Sequence, residues 1–199
     1  MKILNQRLRT NKGEIFGWIV DDFVSRDTCD NLIKLGKPKL KPSTTLEPVT
    51  DNYRTSSNTF LHYNRGLSAV DEVAALVTDI INFPLVNCEG MQIVHYNSGE
   101  FYKPHHDYFY SQASYWDKEI ARGGQRVWTA FLYLNDVNQG GTTNFPNINF
   151  EVKPKAGRMV LWLNMLGKEL NVDSYHEAKP PIACEKWGAN IWVREKPFT

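Results

Sequence analysis

At Pro84 the chain changes character, and that change limits the folds open to it. Before Pro84 the apolar residues recur at helical spacing. Val70, Val73, Ala74, Val77, Ile80 and Ile81 form one stripe, which predicts a helix over 69–82. Gly66-Leu67-Ser68 opens it, and Pro84 bars its continuation. A shorter helix is predicted over 25–37, with Ser25 as its N-cap and Gly36 as its stop. The Pro-, Ser- and Thr-rich stretch 37–53 reads as loop. After Pro84, short apolar or alternating runs follow one another: MQIVHY, VWTAFLYLN, INFEVKP, GRMVLWLN and IACEKWGANIWV. Gly, Asn and Pro separate them, the signature of a sandwich or barrel of short strands. Because the helices precede the strands instead of alternating with them, a doubly wound sheet is excluded and helices packed on a β core are expected. The polar and aromatic stretch 111–124 shows no period and reads as an irregular excursion.

Composition narrows the function classes. The 199 residues suffice for one domain of 1–199, with helical support over about 1–83 and a β core over about 84–199. Lys and Arg total 23 against 22 Asp and Glu, so the basic excess of a dedicated nucleic-acid binder is missing. Cys29, Cys88 and Cys184 are odd in number and form no CxxC pair, which excludes a disulfide scaffold or zinc ribbon and favours a reducing compartment. No apolar run approaches membrane-spanning length, and MKILNQRLRTNKGE is too polar for a signal peptide. A soluble cytoplasmic protein with no membrane partner is expected; the oligomeric state is not legible.

Chemistry concentrates in YKPHHD (102–107). On an extended strand, His105 and Asp107 share a face while His106 turns away. A third ligand from His176, in SYHEAKPP, would give the two-His, one-carboxylate set that leaves three positions open and suits non-haem Fe(II). Alone, H-x-D is a common surface pair. Lys186, ten residues beyond His176, adds weight. A metal with three open positions holds a 2-oxo acid through two of them, and the far carboxylate of that acid then needs a cation.

Several blocks in order carry a resemblance across nearly the whole chain: RTSSNTFL (54–61), HYNSGEFYKPHHDYF (95–109), QRVWTAFLYLNDVNQGGTTNFP (125–146), KPKAGRMVLW (153–162), then His176, Lys186 and Trp187. They resemble the prolyl 4-hydroxylase branch of the 2-oxoglutarate- and Fe(II)-dependent dioxygenases. The resemblance implies a mainly β fold with N-terminal helices, a double-stranded β-helix or distorted jelly roll. It implies His105, Asp107 and His176 as iron ligands and Lys186 as partner of the 2-oxoglutarate C5 carboxylate, with Arg194 or Arg158 as the fallback. Tyr96 and Thr143 match positions that line the co-substrate pocket. Tyr102, Arg126 and Trp192 match positions at the reaction face. The cofactors implied are Fe(II), 2-oxoglutarate and O₂, with ascorbate as reductant. The implied reaction hydroxylates proline in a peptide or protein and yields succinate and CO₂. Other substrates, such as a free amino acid, another side chain or a nucleobase, stay open, as does a binding module without catalysis. Plain structural roles also remain open. Tyr96 and Tyr102 suit a core strand, Arg126 an acid partner, His62 and His95 structural positions, Trp162 the core, and Gly140-Gly141 a simple turn. After His176 the segment HEAKPPIACEKW departs from the family pattern at Pro181 and Cys184 while keeping the spacing to Lys186.

Overall fold

A computed structural model gives the fold and describes residues 6–46 and 53–199. Fourteen strands lie among those residues: β1 (Gln6–Arg9), β2 (Ile15–Val20), β3 (Lys41–Pro42), β4 (Ser57–Leu61), β5 (Met91–Tyr96), β6 (Tyr102–His105), β7 (Arg126–Tyr133), β8 (Thr143–Phe145), β9 (Phe150–Val152), β10 (Met159–Leu163), β11 (Met165–Leu166), β12 (Glu169–Leu170), β13 (His176–Ala178) and β14 (Lys186–Arg194). Three helices accompany them: α1 (Arg26–Gly36), α2 (Ser68–Ile81) and α3 (Trp116–Ala121). One sheet has eight strands in the order β1-β2-β10-β7-β14-β5-β4-β3; a second has four in the order β6-β13-β8-β9. All recorded pairings within these two sheets are antiparallel. This is the mainly β, distorted jelly-roll class expected, with helices covering one face.

Two apolar clusters explain the layering. Leu32 and Cys29 of α1 and Val70, Val73, Ala74 and Val77 of α2 pack with Ile93, Leu132, Leu161, Ala189 and Ile191 of the large sheet. On the sheet's other face, Val94, Phe131, Tyr133 and Val160 pack with Phe145 and Val152 of the small sheet. The large sheet is therefore covered on both faces, and β5 is buried at every position. A strand covered twice has no polar face to show, which is why MQIVHY lacks clean alternation. Gly188 has its own constraint: a Cβ there would stand 2.3 Å from the Phe131 ring, so the ring occupies the space a side chain would need.

The helix expectations meet the structure closely. Ser25 Oγ accepts from Thr28 N–H at 3.1 Å as the N-cap of α1. Asn82 ends α2 in the left-handed region at φ 53°, and its N–H donates to Thr78 O. Gly36 is not a left-handed stop. Its φ of −83° is helical, and a Cβ there would meet Ile93 at 2.8 Å, so it is small because the helix lies close on the sheet.

Four further expectations are corrected. The first 83 residues are not simply helical support, for β1 to β4 supply half of the eight-stranded sheet. The edges are the short, exposed β1 (QRLR) and β3, whose polar residues mask the pairing, while β2 and β4 lie one strand further in. The stretch 37–53 contains a 3₁₀ turn at Lys37–Lys39 and strand β3, while 47–52 lie outside the described residues. Helix α3 interrupts the irregular excursion 111–124. The last strand begins at Lys186, not at Ile182, because 182–185 bend at the left-handed Ala183.

Candidate metal and co-substrate site

The small sheet brings the predicted ligands together by register. Strand β13 pairs with β6 so that His176 lies directly opposite His105, although 71 positions separate them in the chain. Asp107 does not share the strand with His105. The strand ends at His105, and Asp107 follows in a bend, yet its carboxylate converges on the same point. Its two oxygens stand 3.9 Å from His105 Nε2 and 3.8 Å from His176 Nε2. One donor atom from each residue lies within 4.8 Å of the others.

The neighbours of these side chains fix their chemical form. His105 Nδ1 is 2.8 Å from Lys103 O, and His176 Nδ1 is 2.8 Å from Ser174 O. A proton on each Nδ1 satisfies the carbonyl and leaves Nε2 as a lone-pair donor. Burial, and then the neighbouring His176, push the His105 imidazole down to about 3, so it is neutral at ordinary pH. Asp107 experiences the opposite balance. Burial raises its pKa, but His176, His105, Arg126 and the Thr129 hydroxyl together outweigh it and hold the acid at about 2. Thr129 Oγ1 donates to Asp107 at 2.7 Å, receives Asn164 Nδ2 at 2.9 Å, and Asn164 Oδ1 receives Trp162 Nε1 at 3.1 Å. Two imidazoles that present Nε2 and one carboxylate form a donor set that fits a divalent metal.

The co-substrate end is built differently. Lys186 opens β14, is fully buried, and its Nζ has no hydrogen-bond partner. Three rings surround it, with centroids 5.2 Å (Tyr96), 5.1 Å (Phe131) and 5.4 Å (Tyr133) from Nζ. Burial alone pushes the ammonium down to about 7. An unpaired buried cation is costly, so its presence fits an anionic ligand. Thr143 sits beside it, its Oγ1 2.6 Å from the Tyr133 hydroxyl. The fallback cations face elsewhere: Arg158 pairs with Asp21 at 2.5 Å, and Arg194 pairs with Glu89 and Glu119. Gly140 and Gly141 form more than a turn. Both have positive φ, Gly141 N–H donates to Pro180 O at 2.9 Å, and a Cβ on Gly141 would stand 3.5 Å from Lys186 Cδ.

Tyr96, Thr143, Lys186 and the three ligands line one narrow cavity, and Trp162 adds a wall against His176 at 4.8 Å. The cavity shares Tyr102, His105, Asp107 and Trp192 with an open groove of about 550 Å³, a size that admits a ligand. Tyr102 stacks on His105 with centroids 3.7 Å apart. Arg126 reaches the groove too, but its guanidinium is committed: Nε and Nη2 donate to Glu89 at 2.6 and 2.8 Å, and its Cζ lies 3.8 Å from the centroid of the Trp192 ring. The structural roles weighed for the other histidines also have partners. His95 Nε2 is 2.8 Å from Glu185, and His106 Nδ1 is 2.6 Å from the Tyr110 hydroxyl.

Thr129, Asn164 and Glu89 were not legible as site residues, and Arg194, expected only as a substitute for Lys186, instead bonds Glu89 and Glu119. No motif marks a threonine or asparagine behind a ligand, and only the neighbouring of β7 and β10 brings them together. Arg54 also lines both cavity and groove, with its guanidinium 4.6 Å from the Tyr102 ring, and only its place in the RTSSNTFL block hinted at it.

A family model described as the 2OG-Fe(II) oxygenase superfamily matches residues 91–194. Probable prolyl 4-hydroxylase 8 of Arabidopsis thaliana is 31% identical over 210 residues, spanning 90% of this chain and 70% of the relative. Prolyl 4-hydroxylase 1 of Arabidopsis thaliana is 32% identical over 215 residues, spanning 96% and 74%. Among solved structures, the viral collagen prolyl hydroxylase of Paramecium Bursaria Chlorella virus-1, in complex with 2OG, superposes with a TM-score of 0.72. It is 24% identical and covers 90% of this chain and 95% of that one, a likeness of fold.

Proposed function

The chain belongs to the prolyl 4-hydroxylase family of 2OG-Fe(II) oxygenases, and from that premise we propose that it hydroxylates proline in an extended peptide or protein segment. The observation that carries this reading is the convergence of His105, Asp107 and His176 beside a buried lysine with no partner. When bound, Fe(II) and 2-oxoglutarate supply, with O₂, the oxidation that places one oxygen on a substrate carbon and leaves succinate and CO₂. In this reading His105, His176 and Asp107 hold the metal through Nε2, Nε2 and a carboxylate oxygen. Lys186 pairs with the distal carboxylate of the co-substrate, and Tyr96 and Thr143 shape the pocket around it. Phe131 and Trp162 supply apolar walls to that pocket. Tyr102 and Trp192 flank the mouth, where a proline ring packs well against aromatic faces.

Ascorbate as reductant and a cytoplasmic setting belong to the same reading. Among the described residues Cys29, Cys88 and Cys184 are all free thiols, which suits a reducing compartment, and no helix is long and apolar enough to cross a membrane. The test is mass spectrometry of proline-rich peptides incubated with the protein, Fe(II), 2-oxoglutarate and ascorbate. A gain of one oxygen on proline, matched by succinate, is the expected result. Oxygen gained by a free amino acid and by no peptide would retain the oxygenase and remove the peptide.

A further inference from the structure

The carbonyls behind the two imidazoles are held in different ways. Lys103 O belongs to β6, which pairs with β13 on one side. On its other side β6 is braced by Tyr53 and Thr55: Lys103 N–H donates to Tyr53 O and Thr55 N–H to Phe101 O, each at 3.0 Å. Ser174 O belongs instead to a three-residue 3₁₀ turn, Val172–Ser174. A turn of this length carries little stability of its own, so the place of Ser174 O depends on what grips the turn.

The grip comes from distant parts of the chain. Asn171 roots the start of the turn, through its N–H to Asn164 O at 2.9 Å and its Nδ2 to Leu163 O at 2.8 Å. Asn147, after β8, donates through Nδ2 to Val172 O at 2.6 Å. Asp173 points inward and is only 7% exposed. Both of its oxygens accept from one residue: Oδ2 from Asn11 N–H and Oδ1 from Asn11 Nδ2, each at 3.0 Å. Asn11 lies 162 positions earlier, in the exposed turn between β1 and β2, and its Nδ2 also donates to Asn147 O at 2.8 Å. A buried carboxylate stripped of its donors is costly, so this two-point bond fixes where the turn sits.

The consequence for the site lies one residue further on. Ser174, next to Asp173, is fully buried, and its carbonyl is the group 2.8 Å from His176 Nδ1. Movement of the turn therefore takes away the acceptor that orients the ring and sets its tautomer. Resting on the functional reading above, we propose that Asp173, latched by Asn11, is a positioning residue for the distal ligand: it holds Ser174 O against His176 Nδ1 and so keeps Nε2 aimed at the metal. All three ligands lie inside the family segment 91–194, yet the site is finished by a hairpin turn outside it.

The test uses the full chain, labelled with ¹⁵N-histidine and loaded with Zn²⁺, which fits the same donors. Five histidines give a simple spectrum. The His176 ring is recognised by its contact with Trp162 at 4.8 Å, and the His105 ring by its stack on Tyr102 at 3.7 Å. In the unaltered chain both Nδ1–H protons should be visible and slow to exchange with water. Asp173→Ala should speed exchange of the His176 proton about tenfold and leave the His105 proton as it was. The Zn²⁺ Kd should rise about tenfold with it. Asn11→Ala keeps the backbone bond, so its losses should be about threefold, and the double variant should lose no more than Asp173→Ala alone. Ser25→Ala is the control. It removes the N-cap of α1, on the opposite face of the large sheet, and should lower Tm while both protons and the Zn²⁺ Kd stay unchanged. If Asp173→Ala does not fold, Asn11→Ala, at an exposed turn, carries the same readings. Equal acceleration at both histidines would overturn the proposal, as would an unchanged Zn²⁺ Kd in a folded variant, and the latch would then be a plain structural tie. An unaltered chain that binds no Zn²⁺ at these histidines would remove the metal reading itself, and this inference with it.

Discussion

The two sheets bring different kinds of side chain to the same cavity. The small sheet and the bend after β6 supply His105, His176, Asp107 and Thr143, on short strands whose residues are locally tied. Each imidazole is fixed by a carbonyl two residues before it, and Asp107 by Thr129. The large sheet supplies Tyr96, Lys186, Trp192 and Arg126, on long strands far from one another in the chain. Its two orphaned donors, Lys186 Nζ and Trp192 Nε1, have nothing to bond. In the proposed reading the metal end is thus preorganised before a ligand arrives, and the other end is completed by the ligand. A preorganised donor set minimises reorganisation on metal binding. Unpaired donors make the ligand's own acceptors the source of selectivity.

The sharpest way to break this division is to remove a ligand. Asp107→Ala should abolish both metal binding at the site and succinate release, while the fold persists. Metal titration with a parallel succinate assay checks it. Full turnover by this variant would show that the small sheet does not carry the metal.

Lys186 comes next. Replacing it with Ala should weaken 2-oxoglutarate by about 1.5–3 kcal/mol, one charged hydrogen bond, or roughly tenfold to a hundredfold. Metal affinity should not follow, since Lys186 lies on the other sheet. The pH dependence has a defined sign. The pocket ammonium titrates at about 7 because burial disfavours its charge. A bound carboxylate restores that charge, so affinity should be level below pH 7 and fall about tenfold per unit above it. Stability should run the other way in the ligand-free chain. An unfolded lysine keeps its proton toward its ordinary 10.5, so the unfolded state binds more protons between 7 and 10.5 and stability rises with pH across that window. Lys186→Met should remove this slope in a thermal melt and raise stability at lower pH.

The hydrogen bonds behind the ligands give a smaller effect. Thr129→Val deletes the donor to Asp107 and strands Asn164, which should cost about tenfold in metal affinity with the 2-oxoglutarate Kd at fixed metal unchanged. Equal losses in both would show that the two ends are coupled through β7.

Legibility in the sequence follows the same division. The residues proposed as ligands, and Lys186, stood out because metal and anion chemistry demand particular residue types, although Asp107 reaches the shared point from a bend and not from the strand. The groups behind them did not. Thr129 and Asn164 look like any strand polar residues until β7 and β10 stand side by side. Nothing in the sequence couples Glu89, Glu119 and Arg194, and only the closure of the jelly roll buries them together. The short strands β1 to β4 escaped for a related reason. Ser57–Leu61 is mostly polar and half-buried, so it is indistinguishable from loop until it pairs with β5 and β3.

Glu119 offers the smallest expected effect and the finest test of how the large sheet holds its end of the site. It lies in α3, within the excursion that follows the ligand segment, and its carboxylate accepts from Arg194 Nη2 at 2.9 Å. Arg194 in turn bonds Glu89 at 2.7 Å, and Glu89 holds Arg126 against Trp192. The Phe109 ring lies under both guanidiniums, 4.8 Å from Arg126 and 4.5 Å from Arg194. The chain of contacts links α3 to the groove without touching the metal ligands. Glu119→Gln keeps the shape and removes one charge. Arg194 retains Glu89 and the carbonyls of Glu119 and Gly124, so the loss should be about 2 kcal/mol of stability, or roughly 4–8 °C in Tm. Because Arg126 keeps its own bonds to Glu89, the peptide KM should rise by only about threefold, with uncoupled 2-oxoglutarate decarboxylation at the wild-type rate. The double variant Glu119→Gln, Arg126→Ala should then show no more loss of peptide KM than Arg126→Ala alone, since the first substitution acts through the second residue. Additive losses would mean that Glu119 shapes the groove by another route. A fall in Tm with no change in peptide KM would leave the network a structural tie and separate it from the substrate face.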